Sequence, residues 1–256
     1  VSVRWCLLPL LAAILSPLEA RETFSPTETE ALGRALYDRQ RMTEIALDFV
    51  GEYYDPEADG ITAWVIEDIG SDVVMSFLAF PDGQPQVVVN ARFSDSLIPE
   101  LMPGPAALGA RQRAQLQARV TVRPLVDTPC AERYDSLSLR HPHSDDLLVY
   151  AMPIAADADE VLLGGHYRYR LDPEGVHVRE NDALATACTR ASVESLRGTT
   201  LESGVAVRNL LDDTPHEIHV FLSLRYKIPL YVITRDLRLW EVRDGRMRVV
   251  RERPGE

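Results

Sequence analysis

The chain has 256 residues, a formal net charge of −12 and 46% hydrophobic residues, enough apolar material for a sizeable core. The acidic balance argues against general nucleic-acid binding, which needs Lys and Arg to displace counterions. A single lysine, Lys227, stands among the 27 basic residues. The net charge permits a cationic partner, although solubility explains it equally well.

In chain order, Arg4 is followed by an apolar run from Cys6 to Leu15 and then by Ser16-Pro-Leu-Glu-Ala20. A basic start, a short apolar run and a terminal Ala predict a secretory signal peptide over residues 1–20. Residues 21–256 are then expected to be exported as one α+β domain, with a candidate seam near Pro124. No later stretch approaches roughly 18 uninterrupted apolar residues, so no membrane span is expected after the leader. In an exported chain, Cys130 and Cys188 read first as a disulfide. It would close a loop of nearly sixty residues and contribute about 4 kcal/mol on the loop-entropy view.

Ser25-Pro-Thr-Glu28 has the spacing of a capping box, with Pro at the first helical position, and predicts a helix to about Tyr53. Three strand-like runs follow, Ile61–Asp68, Val73–Phe80 and Gln86–Phe93, and their short connections predict an antiparallel β-meander. Pro99–Gly104 reads as a loop, Ala106–Arg119 as a helix and Val120-Thr-Val122 as a brief strand. Asn181–Arg197 has helical propensity, Gly204–Leu210 reads as a strand, and His216–Tyr226 alternates as a strand does. Leu230–Thr234 reads as a further strand. Asp244-Gly245 is the strongest hairpin signal, setting Val242 against Met247 and Trp240 against Val249. Together these predict an N-terminal helix, a meander and further hairpins forming a large, mostly antiparallel sheet.

The central stretch, Val161 to Leu171, reads as one strand with Gly164-Gly165 marking a bulge or a close backbone approach. Its odd positions, Tyr167, Tyr169 and Leu171 among them, form an apolar face. Its even positions, His166, Arg168 and Arg170, are expected to form an outward cationic face, and these three are the candidate binding residues. Asp172-Pro-Glu-Gly175 has turn chemistry; matching apolar faces favours Leu171 against Val176 and Tyr169 against Val178, while a bulge at Gly175 would shift the partner by one.

All six histidines lie between positions 141 and 219. His141-Pro-His-Ser-Asp-Asp146 offers imidazoles and carboxylates of the kinds that zinc uses, with His141, His143 and Asp145 on one side of an extended chain. It also serves as an ordinary turn before Leu147–Met152, and no further ligand is apparent. His216-Glu-Ile-His219 lacks the spacing of a helical His-Glu-x-x-His site and reads as a pair of surface histidines on opposite faces of a strand. No Gly-x-Ser-x-Gly elbow is present.

Glu160-Val-Leu-Leu-Gly-Gly-His-Tyr-Arg-Tyr169, Cys188 and His216-Glu-Ile-His-Val-Phe-Leu-Ser-Leu224 together resemble segments of uncharacterised exported bacterial proteins. That resemblance implies no activity. The residues favour an exported, periplasmic or secreted binding or inhibitor-like protein with an envelope or secreted protein as partner, no cofactor and no recognisable active site. The alternative is a metal-assisted hydrolase of cell-envelope material acting through His141, His143 and Asp145.

Overall fold

A computed structural model describes residues 22–127, 129–185, 187–194 and 204–251; the expected leader lies outside them. Helix α1, Pro26–Gly51, starts where the capping box places it. The Glu28 N–H donates to Ser25 Oγ at 3.4 Å, and the Ser25 N–H donates to Glu28 Oε2 at 2.9 Å. The Ser25 hydroxyl also donates to Glu28 Oε2 at 2.7 Å, and this bond, with that from the Ser25 N–H, holds the Glu28 carboxyl below its ordinary pKa. At 26 residues the helix serves two cores. Leu32 and Leu36 enter one, Ala46 and Val50 the other.

The meander forms as expected. Strands β1 (Ala63–Ile69), β2 (Asp72–Ala79) and β3 (Gln86–Phe93) pair antiparallel in order. A fourth strand, β4 (Glu100–Ala106), replaces the loop expected at Pro99–Gly104. It lies at the sheet edge, where Pro103 removes no ladder bond that a central strand would need. Met75, Phe77, Val89 and Phe93 from this sheet bury against the second half of α1.

Helix α2 spans Ala110–Val122, so the brief strand expected at Val120-Thr-Val122 is instead its last turn. Thr121 Oγ1 donates back to the Gln117 carbonyl at 3.0 Å there. The Arg119 guanidinium lies 3.8 Å from the Trp64 ring centre and donates to the carbonyls of Trp64 and Ser136. It thereby ties α2 to β1 and to β5 (Arg133–Arg140), and burial lowers its pKa to about 10.

The second sheet runs β5, β6 (Leu147–Ile154), β8 (Tyr167–Leu171), β9 (Val178–Ala183), all antiparallel. The stretch read as one strand is divided. Strand β7 (Glu160–Leu162) pairs instead with β10 (Arg190–Ser192), and the chain changes ladders across Gly164-Gly165. A side chain on Gly164 would meet the Ala187 carbonyl, and one on Gly165 (φ 82°) would meet Cys130. The glycine pair therefore marks a close backbone approach, one of the two alternatives read from the sequence. The helix expected at Asn181–Arg197 is replaced over its described residues mainly by β9 and β10, because Cys188 is tethered to Cys130. The two Cα atoms are 5.4 Å apart, within the normal disulfide range.

The register of the β8–β9 hairpin also differs from expectation. Leu171 pairs with Val178 and Tyr169 with Asn181, with an irregularity between Arg170 and Leu171. Asp172 sets this register. Its N–H donates to the His177 carbonyl at 3.0 Å, and its Oδ1 accepts from the Val176 N–H at 2.8 Å. The turn therefore absorbs Val176, which is left exposed.

The third sheet has β11 (Val205–Asn209) parallel to β12 (Leu230–Thr234), followed antiparallel by β13 (Leu239–Arg243) and β14 (Arg246–Arg251). The Asp244-Gly245 turn has positive φ at both positions, 51° and 74°, and the expected Val242–Met247 and Trp240–Val249 pairs form. The segment joining β11 to β12 holds helix α3, Glu217–Tyr226, where alternation predicted a strand. Ile218, Val220, Phe221 and Leu222 are all buried. A segment covered on every side has no polar face to reveal its period. Lys227 in the left-handed region (φ 55°) and Pro229 end it. The fold is α+β and mostly antiparallel, the strands of the described residues being divided among three four-stranded sheets and one pair. No helix among the described residues is long and apolar enough to cross a membrane.

Helices α1 and α3 touch at Gly33, where an added Cβ would collide with the Glu217 carbonyl and the Val220 side chain. Gly33→Ala is therefore expected to force the helices apart and cost about 1–3 kcal/mol, read as a lower urea midpoint with an unchanged slope.

Candidate binding site

Of the even-numbered side chains of β8, Arg168 does not face water and Arg170 is half-buried. The odd ones, Tyr167, Tyr169 and Leu171, pack with Ala118 and Val122 of α2. The even ones point to the opposite side, where Tyr150 of β6 and Glu217 of α3 lie. Arg168 is 3% exposed and Glu217 is 1% exposed. The outward cationic face expected of Arg168 is thus a buried one. The sequence shows the alternation but cannot show that a helix formed some fifty residues later covers the polar side.

The Arg168 guanidinium is met from three directions. One nitrogen donates to Glu217 Oε1 at 2.9 Å, and the other to Asp182 Oδ2 at 2.7 Å and to the Glu22 carbonyl at 2.6 Å. The Phe24 ring lies beneath it, 4.8 Å from centre to guanidinium carbon. Asp182 is its cross-strand partner on β9, and the Tyr150 hydroxyl donates to the same Glu217 oxygen at 2.9 Å. Desolvation opposes charge at both main partners. Each partner's field outweighs it, raising the Arg168 pKa and lowering that of Glu217. Burial and the Glu217 charge push Tyr150 well up, so it stays a donor.

Arg170 is half-buried. It donates to Asp146 Oδ2 at 2.7 Å, Glu180 Oε1 at 3.2 Å and Glu22 Oε1 at 3.3 Å. His141 Nε2 lies 2.7 Å from the same Glu22 oxygen. His141 Nδ1 accepts from the His143 N–H at 3.1 Å, with Ser144 Oγ at 3.0 Å. A backbone N–H can only donate, so the proton of the neutral ring sits on Nε2, facing the carboxylate. His143 reaches away to Glu28 Oε1 at 2.8 Å, and Asp145 lines a different cavity beside Arg140 and Pro173. The His141 and His143 rings lie edge to face, 5.8 Å between centres, but turn to different carboxylates, and Asp145 lies apart from both. Among the described residues no group of three or more His, Cys, Asp or Glu side chains is gathered as a metal ion would require.

His166, the third candidate, has different surroundings. It follows the glycine pair held under the disulfide, and its carbonyl accepts from the Leu184 N–H at 2.9 Å. The side chain is 4% exposed, and its Nδ1 has no hydrogen-bond partner among the described residues. Burial lowers its pKa to about 4, so it is neutral at pH 7. It lines a cavity of about 510 Å³ between β6, β7 and α3. Met152, Leu162, Phe221 and Leu222 give this cavity apolar walls, while Asp135, Asp157, Glu160 and Arg225 supply charge. Arg225 is already bonded to Glu44 at 2.7 Å, and Glu160 to Arg190 at 2.7 Å.

The remaining histidines also depart from expectation. His216 and His219 are buried at the start of α3 instead of lying at the surface. His219 Nδ1 accepts from the His216 N–H at 2.9 Å, and His216 Nε2 lies 3.1 Å from both Asn209 Oδ1 and Asp212 Oδ2. Burial, reinforced by the neighbouring His216, lowers the His219 pKa to about 3. The residues that sequence reasoning missed are Glu217, Asp182 and Glu22. Glu217 carried one usable signal, an acid preceding an almost unbroken apolar run, which suits the first turn of a buried helix. No family model matches the chain, nor does any curated protein or solved structure.

Glu217→Gln keeps the shape but leaves Arg168 short of a counter-charge, and it is expected to cost roughly 3 kcal/mol in urea denaturation. Acid should act through the histidines. The folded values of His166 and His219, about 4 and about 3, lie below the unfolded value of about 6.5. Between those limits the unfolded chain takes up protons that the native chain refuses. Stability should be full above pH ~6.5 and fall with acidification, by up to about 1.4 kcal/mol per pH unit for each histidine. Urea midpoints at pH 7.5 and 5 test this. Equal stability at the two would contradict it, and His219→Gln should flatten the dependence.

Proposed function

We propose that the chain is an exported, periplasmic or secreted, binding protein of inhibitor-like type. It takes a small ligand, or a side chain of an envelope or secreted partner, in the cavity lined by His166. The observation that carries this reading is the buried imidazole of His166, which lines that cavity and whose Nδ1, itself out of reach of solvent, has no hydrogen-bond partner among the described residues. Buried polar groups are hydrogen-bonded as a rule, and an orphan calls for a reason. A ligand that bonds Nδ1 supplies one.

The surroundings narrow the ligand's chemistry. Apolar walls favour a hydrocarbon or aromatic body, as in most small-molecule sites. Asp135 and Asp157 add negative charge, while Arg225 is engaged by Glu44. A ligand with an apolar body and an ammonium group suits this balance, and such a ligand also complements the net charge of −12.

Tyramine, 4-methylphenol and 3-(4-hydroxyphenyl)propionate share one ring and differ in charge, so they form a suitable probe set. Thermal unfolding should show a saturable stabilisation by tyramine that exceeds that by the neutral phenol, with the acid weakest. At a hundredfold excess over Kd it should reach about 2.7 kcal/mol. His166→Phe should abolish it. That variant should also be as stable as the wild type or more so without ligand, since it removes a buried unpaired polar group. The reading fails if no probe gives a saturable shift, or if His166→Phe responds as the wild type does.

A further inference from the structure

The Arg168–Arg170–His141 cluster carries a separate inference, independent of the His166 cavity. Residues 22–24 reach it as a segment without regular secondary structure, running into the extended Ser25 cap. No backbone-to-backbone hydrogen bond holds these three residues to the other described residues. They are held by what they insert. The Glu22 carboxylate meets His141 at 2.7 Å and Arg170 at 3.3 Å, the Glu22 carbonyl accepts from Arg168 at 2.6 Å, and the Phe24 ring is buried against Arg168 and His141. Thr23 between them is exposed. One carboxylate, one exposed residue and one buried aromatic is the pattern by which extended peptides are read, with alternate side chains in pockets.

We propose that Arg168, Arg170 and His141 form a recognition site for a peptide bearing a carboxylate two residues ahead of an aromatic, and that residues 22–24 occupy it in cis. The partner is a segment of another protein with that acidic-x-aromatic sequence. Two features make the occupant exchangeable. Removing it opens no sheet ladder, and Arg168 keeps Glu217 and Asp182 as counter-charges. The fit in cis is also incomplete. Glu22 places one oxygen on both His141 and Arg170, and its buried Oε2 has no partner among the described residues. A carboxylate free of the helix cap three residues on can turn to use both oxygens, the stronger geometry for a guanidinium. The tether gives the segment in cis a millimolar effective concentration, so a competitor binds the intact chain weakly and the released site well.

The test is calorimetric titration of the full exported chain with a capped peptide, acetyl-Arg-Glu-Thr-Phe-Ser-amide. A Glu22→Gln/Phe24→Ala protein, whose own segment no longer fits, should bind it one-to-one and at least tenfold more tightly than the wild type. A Gln-Thr-Ala version of the peptide should lose at least tenfold. Absence of binding by the folded double variant overturns the proposal, as does equal affinity for variant and wild type. If the double variant does not fold, NMR of the Phe24 ring in the wild-type chain decides. Peptide at about 10 mM, above the tether's effective concentration, should move the Phe24 ring signals toward those of a solvated phenylalanine as the ring leaves Arg168 and His141. Unchanged ring signals overturn the proposal. A concentration-dependent dimer that trades these segments, with no peptide binding, would overturn it too.

Discussion

A guanidinium that stays charged while almost wholly removed from water is the constraint on which much of this structure depends. Desolvating such a group costs several kcal/mol, and only well-placed opposite charge and hydrogen bonds offset it. Arg168 obtains these from Glu217 on α3, Asp182 on β9 and the Glu22 carbonyl at the start of the described chain. Three elements distant in sequence must therefore converge on one side chain. Tyr150 completes the set by donating to Glu217, so the carboxylate is shared between a cation and a phenol. The first turn of α3 is a favourable place for that charge, because free N–H groups and the helix dipole act there.

Beside this satisfied network lies a side chain that is not satisfied. His166 lies just before β8, two residues from Arg168, and its Nδ1 has no hydrogen-bond partner among the described residues. The contrast comes from the crossing at Gly164-Gly165. There the backbone passes under the Cys130–Cys188 bridge and leaves one ladder for another. The close approach permits no Cβ on either glycine and fixes the imidazole at the cavity wall. Packing and covalent tether thus hold a polar group where packing alone gives it nothing to bond. Such local departures from consistency tend to mark functional positions.

Several elements were legible in the chain because their signals are local. The Ser25–Glu28 capping box, the meander, the Asp244-Gly245 turn with its pairs, and the Cys130–Cys188 bridge all depend on neighbouring residues or on cysteine count. Elements whose period is hidden were misread. Helix α3 is covered on all sides, so its apolar residues do not trace one face. Strand β4 carries prolines that only an edge position tolerates. The β8–β9 register was set by the Asp172 carboxyl, which competes with the backbone for turn hydrogen bonds.

The candidate site divides along the same line. The sequence by itself determined that Arg168 and Arg170 share one side of a strand, because alternation of side chains is a property of extended backbone. It also determined that a glycine pair beside them marks a special backbone position. Only the tertiary structure decided what covers that side. Glu217, read only as part of an alternating strand, became the buried first residue of a helix. Glu22 brought a carboxylate more than a hundred residues back to His141 and Arg170. The physical reason is that exposure belongs to the assembled chain. An arginine on an alternating strand faces water or a counter-charge according to whether a distant element arrives with a carboxylate, and nothing in the strand's own residues records that arrival.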